Sequence, residues 1–341
     1  MSTASTDHLP LPSGKLPPAA LAGLLELTGT PPPELIVPPA LGEDSAVLLL
    51  PGGLLAVAAD PITFSTPKPG HFAVCVNAND LAVTGARPQY FTLTLLLPEG
   101  ATVAQARAIV EQAVTTGRTM GATLIGGHTE VTSAVTVPVV ALTMFGRLLR
   151  ATPWRTGGAA PGDHVVQVNP YALEGTAILA SERQTELAEH VTAADLALAQ
   201  SLLETPGICV VEPAMLVVEC PGVHAMHDPT EGGIATGLRE MAESAGLGLR
   251  IVADALCMLP VTERICRPLG IDPLGLISSG CVLMAVAPES CAWVQETLRA
   301  GGYSAADIGV FTSQPELVLV QPAGEGPLPV FAVDELAAKT P

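Results

Sequence analysis

Apolar and polar positions along this chain switch between a period of two and a period near 3.6, and the switches mark the elements. Ala46–Leu50 and Leu54–Ala59 are short apolar runs joined by Pro51-Gly52-Gly53, as expected of a hairpin. Phe72 to Gly85 reads as a helix with its stop signal in Gly85-Ala86-Arg87-Pro88, and Tyr90–Leu97 as a strand. From Thr102 to Met120, the residues Val103, Ala106, Val110, Ala113 and Val114 fall on one helical face. Ala122–Ile125 and Val135–Leu149 read as further strands. Thr152 to Gly162 holds Pro153, Gly157, Gly158, Pro161 and Gly162 and is the linker candidate. Beyond it come a strand at His164–Val168, helices at Leu173–Arg183 and Ala193–Leu203, and an amphipathic helix from Ile234 to Ser244. Strands at Gly248–Ala253 and Cys281–Ala287, a helix at Glu289–Ala300 and a strand at Asp307–Phe311 follow. The beginning is rich in Pro and Ser, with one helical pattern at Ala19 to Leu27. The pattern predicts an α+β chain of two mixed domains, 41–151 and 163–341, behind a mobile segment, 1–40.

Composition narrows the function classes. Apolar residues make up 48 % of the chain but aromatics only 3 %, so the core must be aliphatic, and 33 glycines with 32 prolines imply many turns. A formal charge of −18 with only 15 basic residues argues against nucleic acid. An acidic chain that handles an anionic nucleotide needs metal ions as intermediaries. No apolar core of a signal peptide occurs in Met1 to Lys15, and Pro138 and Thr143 break Val137 to Phe145, so no membrane association is expected. Seven cysteines without a Cys-x-x-Cys pair fit neither a disulfide framework nor a structural zinc site. Val74-Cys75-Val76 and Gly280-Cys281-Val282 read as small buried hydrophobes, and a cytoplasmic protein is expected.

Four acidic sites punctuate strand ends and helix starts: Asp44 in Gly42-Glu43-Asp44-Ser45, Asp60 before Pro61, Asp80 in Asn77-Ala78-Asn79-Asp80, and Asp228 in Asp228-Pro229-Thr230-Glu231-Gly232-Gly233. Hard oxygen ligands gathered from separate segments suit Mg²⁺. Gly232 and Gly233 open a helix whose first amides lack internal partners, which suits an anion. Gly126-Gly127-His128-Thr129-Glu130 follows a strand as a Gly-Gly turn, with a hydroxyl, a carboxylate and an imidazole able to move a proton. Each piece also has a plain reading: Asp44, Asp60 and Asp228 as turn caps, Asn77 and Asp80 as solvent-facing, His128 as a hydrogen-bonded turn residue. His224 and His227, with a turn between them, do not suit a zinc pair. Glu174-Gly175-Thr176 and Ser278-Ser279-Gly280 suit either a phosphate contact or a cap and turn, and Asp163 suits a turn.

Taken in order, Gly42-Glu43-Asp44-Ser45-Ala46-Val47, Ala59-Asp60-Pro61, Val76-Asn77-Ala78-Asn79-Asp80-Leu81-Ala82, Gly126-Gly127-His128-Thr129-Glu130 and Asp228-Pro229-Thr230-Glu231-Gly232-Gly233 resemble the aminoimidazole ribonucleotide synthetase (PurM-like) superfamily. That group includes selenophosphate synthetase, thiamine-monophosphate kinase and the hydrogenase maturation dehydratases, HypE. The likeness covers about residues 40 to 290 and is nearest to HypE-like proteins. It implies an N-terminal β-rich domain that pairs with its twin in a shared dimeric barrel, and a C-terminal α/β domain with ATP in the cleft. The metal-bearing acids would be Asp44, Asp60, Asp80 and Asp228, with Asp60, Asp80 and His128 as catalytic residues. Lys15, Asn77, Gly126, Gly127, Thr129, Glu130, Gly232 and Gly233 would contact ATP, Lys15 from a segment covering the nucleotide.

What the resemblance implies is ATP- and Mg²⁺-dependent phosphorylation of a small molecule or carbamoyl-like group with release of ADP, by a homodimer with a maturation-protein partner. The alternatives are a small-molecule kinase resembling thiamine-monophosphate kinase, or a non-catalytic ATP-binding assembly partner. Two departures stand out. His128 stands where several relatives carry Asp or Glu, and the last cysteine, Cys291, lies far from Pro341, so thiocyanate formation on a C-terminal cysteine is not expected.

Overall fold

A computed structural model of the chain describes residues 18–63 and 66–338. Lys15 lies outside them. The first half runs α1 (Pro18–Leu25), β1 (Leu35–Val37), β2 (Ala46–Leu50), β3 (Gly53–Ile62), α2 (Pro69–Val83), β4 (Ala86–Leu97), α3 (Val103–Thr119), β5 (Thr123–Val131) and β6 (Val139–Leu148). Its strands form one six-stranded sheet in the order β1-β2-β3-β6-β4-β5. Residues 35–37, expected within a mobile segment, instead pair antiparallel with β2. α3 starts where Thr102 and Gln105 cap each other reciprocally, two free amides being satisfied at once.

The second half runs β7 (His164–Val168), α4 (Leu173–Glu182), α5 (Gln184–Leu187), α6 (Ala193–Ser201), α7 (Val211–Leu216), β8 (Val223–His227), α8 (Gly233–Ala245), β9 (Gly248–Val252), α9 (Pro260–Leu269), β10 (Val282–Val286), α10 (Pro288–Ala300), β11 (Ala305–Thr312), β12 (Leu317–Gln321), β13 (Gly324–Pro327) and α11 (Glu335–Ala338). Its seven strands form a second sheet, β13-β12-β9-β11-β7-β10-β8. The fold is a two-domain PurM-like arrangement of mixed helices and sheets.

Burial explains how the sheets meet. β10 is buried at every position because both faces of its sheet are covered. One face (Val165, Ala225, Leu283, Ala285) packs under α4, α6, α8 and α9. The other (Val166, Val168, Met226, Met284) joins the core beneath α2 and the first sheet. α2 is therefore the shared element: it lies on β3 and β6 and also touches α7 and β8. The first sheet is covered on one face only. Its outward positions, Leu55, Val57, Phe145 and Leu96 among them, remain half-buried in an alternating pattern.

Candidate functional site

The site grows from α2. A helix otherwise apolar carries Asn77 and Asn79 at no exposure at all, so neither faces solvent. Buried amides need partners, and both find them at long range. Asn77 Oδ1 accepts from the Asp60 amide (2.9 Å) and its Nδ2 donates to the Asp60 carbonyl (3.1 Å), which fixes the end of β3 against α2. Asn79 Nδ2 donates to the Ile208 carbonyl and its Oδ1 accepts from the Val210 amide, both at 2.8 Å, tying α2 to the second half. Ser45 Oγ donates to the Asp80 carbonyl (2.9 Å), bringing the Asp44 loop to the same helix.

These ties gather the four aspartates named from the sequence. Burial first, then the charges of Asp228, Asp60 and Asp44, push the Asp80 carboxyl well above the usual carboxylate range, and it hydrogen-bonds with Asp60. Among the described residues neither Asp60 nor Asp80 pairs with an arginine or lysine. Like charges held together without a basic partner fit a divalent cation, and the all-oxygen donor set is that of Mg²⁺. Asp44 and Asp228 lie close enough to share one ion, with His227 beside them.

His227 was missed as a site residue because a turn was expected where β8 stands. Its Nδ1 lies 3.0 Å from Asp44 Oδ2 and its Nε2 2.9 Å from Glu240 Oε2. Carboxylates only accept, so both ring nitrogens donate and the ring is an imidazolium. Burial works against that charge, yet Asp44 and Glu240 outweigh it and raise the ring well above its ordinary value. His224 alternates to the other face of β8 and meets Asp163 Oδ2 at 2.8 Å, so the two histidines serve separate partners. Asp163 caps a turn at the Ala160 amide as expected.

The glycine-rich segment differs from expectation. Gly126-Gly127 is no turn: β5 runs through it to Val131 and pairs parallel with β4. Asp60 stands opposite Leu142, Leu142 opposite Leu93 and Leu93 opposite Gly127, which puts Gly127 three strand spacings, about 14 Å, from Asp60. His128 and Glu130 are exposed on this edge and face each other at 3.2 Å, apart from the aspartates. Thr129 is exposed too.

Gly232 and Gly233 do open α8, both at positive φ (78° and 68°). The Gly232 amide is engaged, however: it donates to Asp334 Oδ2 at 2.7 Å. Nearby, Glu174 is buried at the start of α4. Burial raises its carboxyl to about 7 against the pull of Ser279, and Oε2 has no hydrogen-bond partner among the described residues.

Comparisons with known proteins agree with this architecture. The model of the AIR synthase related protein N-terminal domain matches residues 42–148, and that of the C-terminal domain matches residues 160–321. A hydrogenase expression/formation protein of Methanocaldococcus jannaschii is 31 % identical over 263 residues, 76 % of this chain and 75 % of that protein. A carbamoyl dehydratase HypE of Rhodobacter capsulatus is 31 % identical over 267 residues, 75 % of this chain and 74 % of that protein. The crystal structure of Escherichia coli HypE superposes with a TM-score of 0.74 at 25 % identity, covering 94 % of this chain and 100 % of that one. The chain belongs to the AIR synthase related protein family, among its HypE-like members.

Proposed function

We propose that this chain is an ATP- and Mg²⁺-dependent enzyme that moves the terminal phosphoryl group of ATP onto the oxygen of a small carbamoyl-like acceptor, releasing ADP, after which the C–O bond breaks, phosphate leaves with that oxygen and the amide nitrogen gives up its protons. The observation that carries the reading is the convergence of Asp44, Asp60, Asp80 and Asp228 from four separate segments, with the acids of α2 and β3 lacking basic partners among the described residues. A divalent ion held there supplies charge neutralisation for the transferring phosphoryl group. The chain's own residues supply positioning. Asn77 holds the backbone of Asp60 so that its carboxylate meets Asp80. His227, clamped between Glu240 and Asp44, orients Asp44 and offsets part of the negative field. Asn79 keeps α2 registered against the second half, so that Asp80 and Asp228 face one another across the junction.

Kinship with carbamoyl dehydratases named HypE supports a carbamoyl-like acceptor, and the hydrogenase expression/formation relative supports a maturation-protein partner. A homodimer is part of the reading. β5 is an edge strand with Ile125 and Val131 more than half exposed, and the outward face of its sheet is apolar and half-buried. A second copy laid on that face would cover it, close the edge and bring Gly126–Glu130 into an interface, where His128, Thr129 and Glu130 would act on bound nucleotide. Lys15, Gly232 and Gly233 are assigned to nucleotide binding on the same footing.

Product analysis with ATP, Mg²⁺ and carbamoyl-bearing candidate acceptors tests the proposal. ADP and free phosphate formed together, only with acceptor present, is the expected result. Phosphate retained on the acceptor would move the assignment to a kinase. No ADP above background with any acceptor or maturation partner would contradict enzymatic turnover.

A further inference from the structure

On the face of α2 opposite Asp60, Cys75 is completely buried one turn before Asn79, which grips Ile208 and Val210, so Cys209, half-buried just before α7, packs against the same core beside it. Cys209 lines a cavity of about 300 Å³ together with Lys68, His71, Leu203 and Glu204, so small molecules reach its side of the pair and not the other. His71 Nε2 lies 3.6 Å from Cys75 Sγ, while its Nδ1 is bonded to Thr116 Oγ1 at 2.9 Å. The imidazole and the two thiols do not form a three-donor metal cluster among the described residues. What remains is a dithiol with one reachable and one sheltered member.

We propose that Cys209 and Cys75 are a reversible oxidation site for small hydroperoxides, Cys209 attacking and Cys75 resolving. The Cys209 thiolate attacks the outer peroxide oxygen: an S–O bond forms, the O–O bond breaks, and the alkoxide leaves and is protonated to the alcohol. The Cys75 sulfur then attacks Cys209: the S–S bond forms, the S–O bond breaks, and hydroxide leaves as water with the Cys75 proton. Two thiols lose two electrons, the peroxide O–O bond takes both, and the products are one disulfide, one alcohol and one water.

The surroundings divide the labour between the sulfurs. The Cys75 thiol hydrogen bond first, and the Val211 amide, lower Cys209 against the effect of its burial. Its bond to Cys209 and its own burial push Cys75 up, so Cys75 stays a thiol until the sulfenic acid forms. Burial and then the Lys68 charge lower His71, leaving its Nε2 neutral and able to take the Cys75 proton in the second step. Asn79, one turn along α2, grips the carbonyl and amide on either side of Cys209, so a disulfide would reinforce a junction that already exists.

The full-length chain, purified reduced and treated with hydrogen peroxide, is alkylated, digested and mapped by mass spectrometry. A Cys75–Cys209 linked peptide that disappears with dithiothreitol is expected, with a reversible rise in melting temperature of about 5 °C. Cys257, also half-buried, is the internal comparator and should remain alkylatable. In Cys209→Ser the two-hydrogen mass loss should vanish. In Cys75→Ser the oxidised Cys209 should persist and be trapped by dimedone. The proposal fails if, on alkylation after unfolding, both thiols of the peroxide-treated wild type are recovered alkylated, or if Cys209→Ser still loses two hydrogens.

Discussion

Two Gly-Gly pairs in this chain look alike in sequence and are different objects in the fold. Gly126-Gly127 lies within an exposed edge strand, where a Cβ on Gly127 would stand 1.9 Å from the Leu93 carbonyl oxygen and one on Gly126 would meet nothing within 4 Å. Gly232-Gly233 sits at a helix start, both residues at positive φ, where a Cβ on Gly233 would stand 2.4 Å from the Leu274 carbonyl oxygen. The first pair needs one glycine, for close strand approach; the second needs both, for the backbone turn that presents α8. A glycine pair beside acidic residues is thus not in itself a phosphate cradle. What surrounds it decides, and the second pair has its helix-opening amide bonded by a carboxylate.

The largest effects should fall on the glycines that face backbone. Gly233→Ala combines a backbone clash with a strained φ, and Gly127→Ala meets the Leu93 backbone; each should cost roughly 2–4 kcal/mol in denaturant unfolding. A loss below 1 kcal/mol at either position would mean the backbone there yields more easily than the contacts imply. Glu174, in the acidic surroundings of the second pair, comes next. Its folded value is near 7 and its reference value is 4.5, so the folded state keeps a proton that the unfolded chain releases. The resulting stability is complete below about pH 4.5, shrinks as pH rises and is gone above about 7, a swing of roughly 3 kcal/mol. Glu174→Gln should therefore melt higher than wild type at pH 8 and not at pH 4.5; equal shifts at both would show that the carboxyl does not titrate as described.

Asp334→Ala should cost about 1–2 kcal/mol, since it leaves amides including that of Gly232 without their acceptor. Gly126→Ala, with open space around it, should change stability by less than about 0.5 kcal/mol. If Gly126→Ala were as costly as Gly127→Ala in isolated chains, the contrast within the first pair would collapse.

Much of the fold was legible from local pattern. Ala46–Leu50 and His164–Val168 are strands with the expected bounds, because short apolar runs between turn residues have few alternatives. β8 was hidden because Val223-His224-Ala225-Met226-His227 places two histidines in a buried strand, and only Asp163, Asp44 and Glu240, distant in sequence, make them tolerable there. α9 carries Pro268 inside it and packs chiefly against α4 and α6, neither of which is its sequence neighbour. The aspartates were visible as acids at strand ends and helix starts. Asn79, His227 and Glu174 have roles defined by partners far along the chain, so no local window contains them. The strand through Gly126-Gly127 was missed because glycine pairs signal turns; the parallel pairing with β4 outweighs that signal.

The central claim is that the gathered aspartates hold Mg²⁺ for ATP. Its most direct test is calorimetric titration of ATP into wild type and Asp80→Asn, each with Mg²⁺ and with chelator, melting curves being recorded on the same samples. Asp80→Asn removes a like charge, so without metal it should be at least as stable as wild type. The account predicts ATP binding that needs Mg²⁺ in wild type and is lost in the folded variant. Binding of equal strength with chelator, or unchanged in Asp80→Asn, would contradict it.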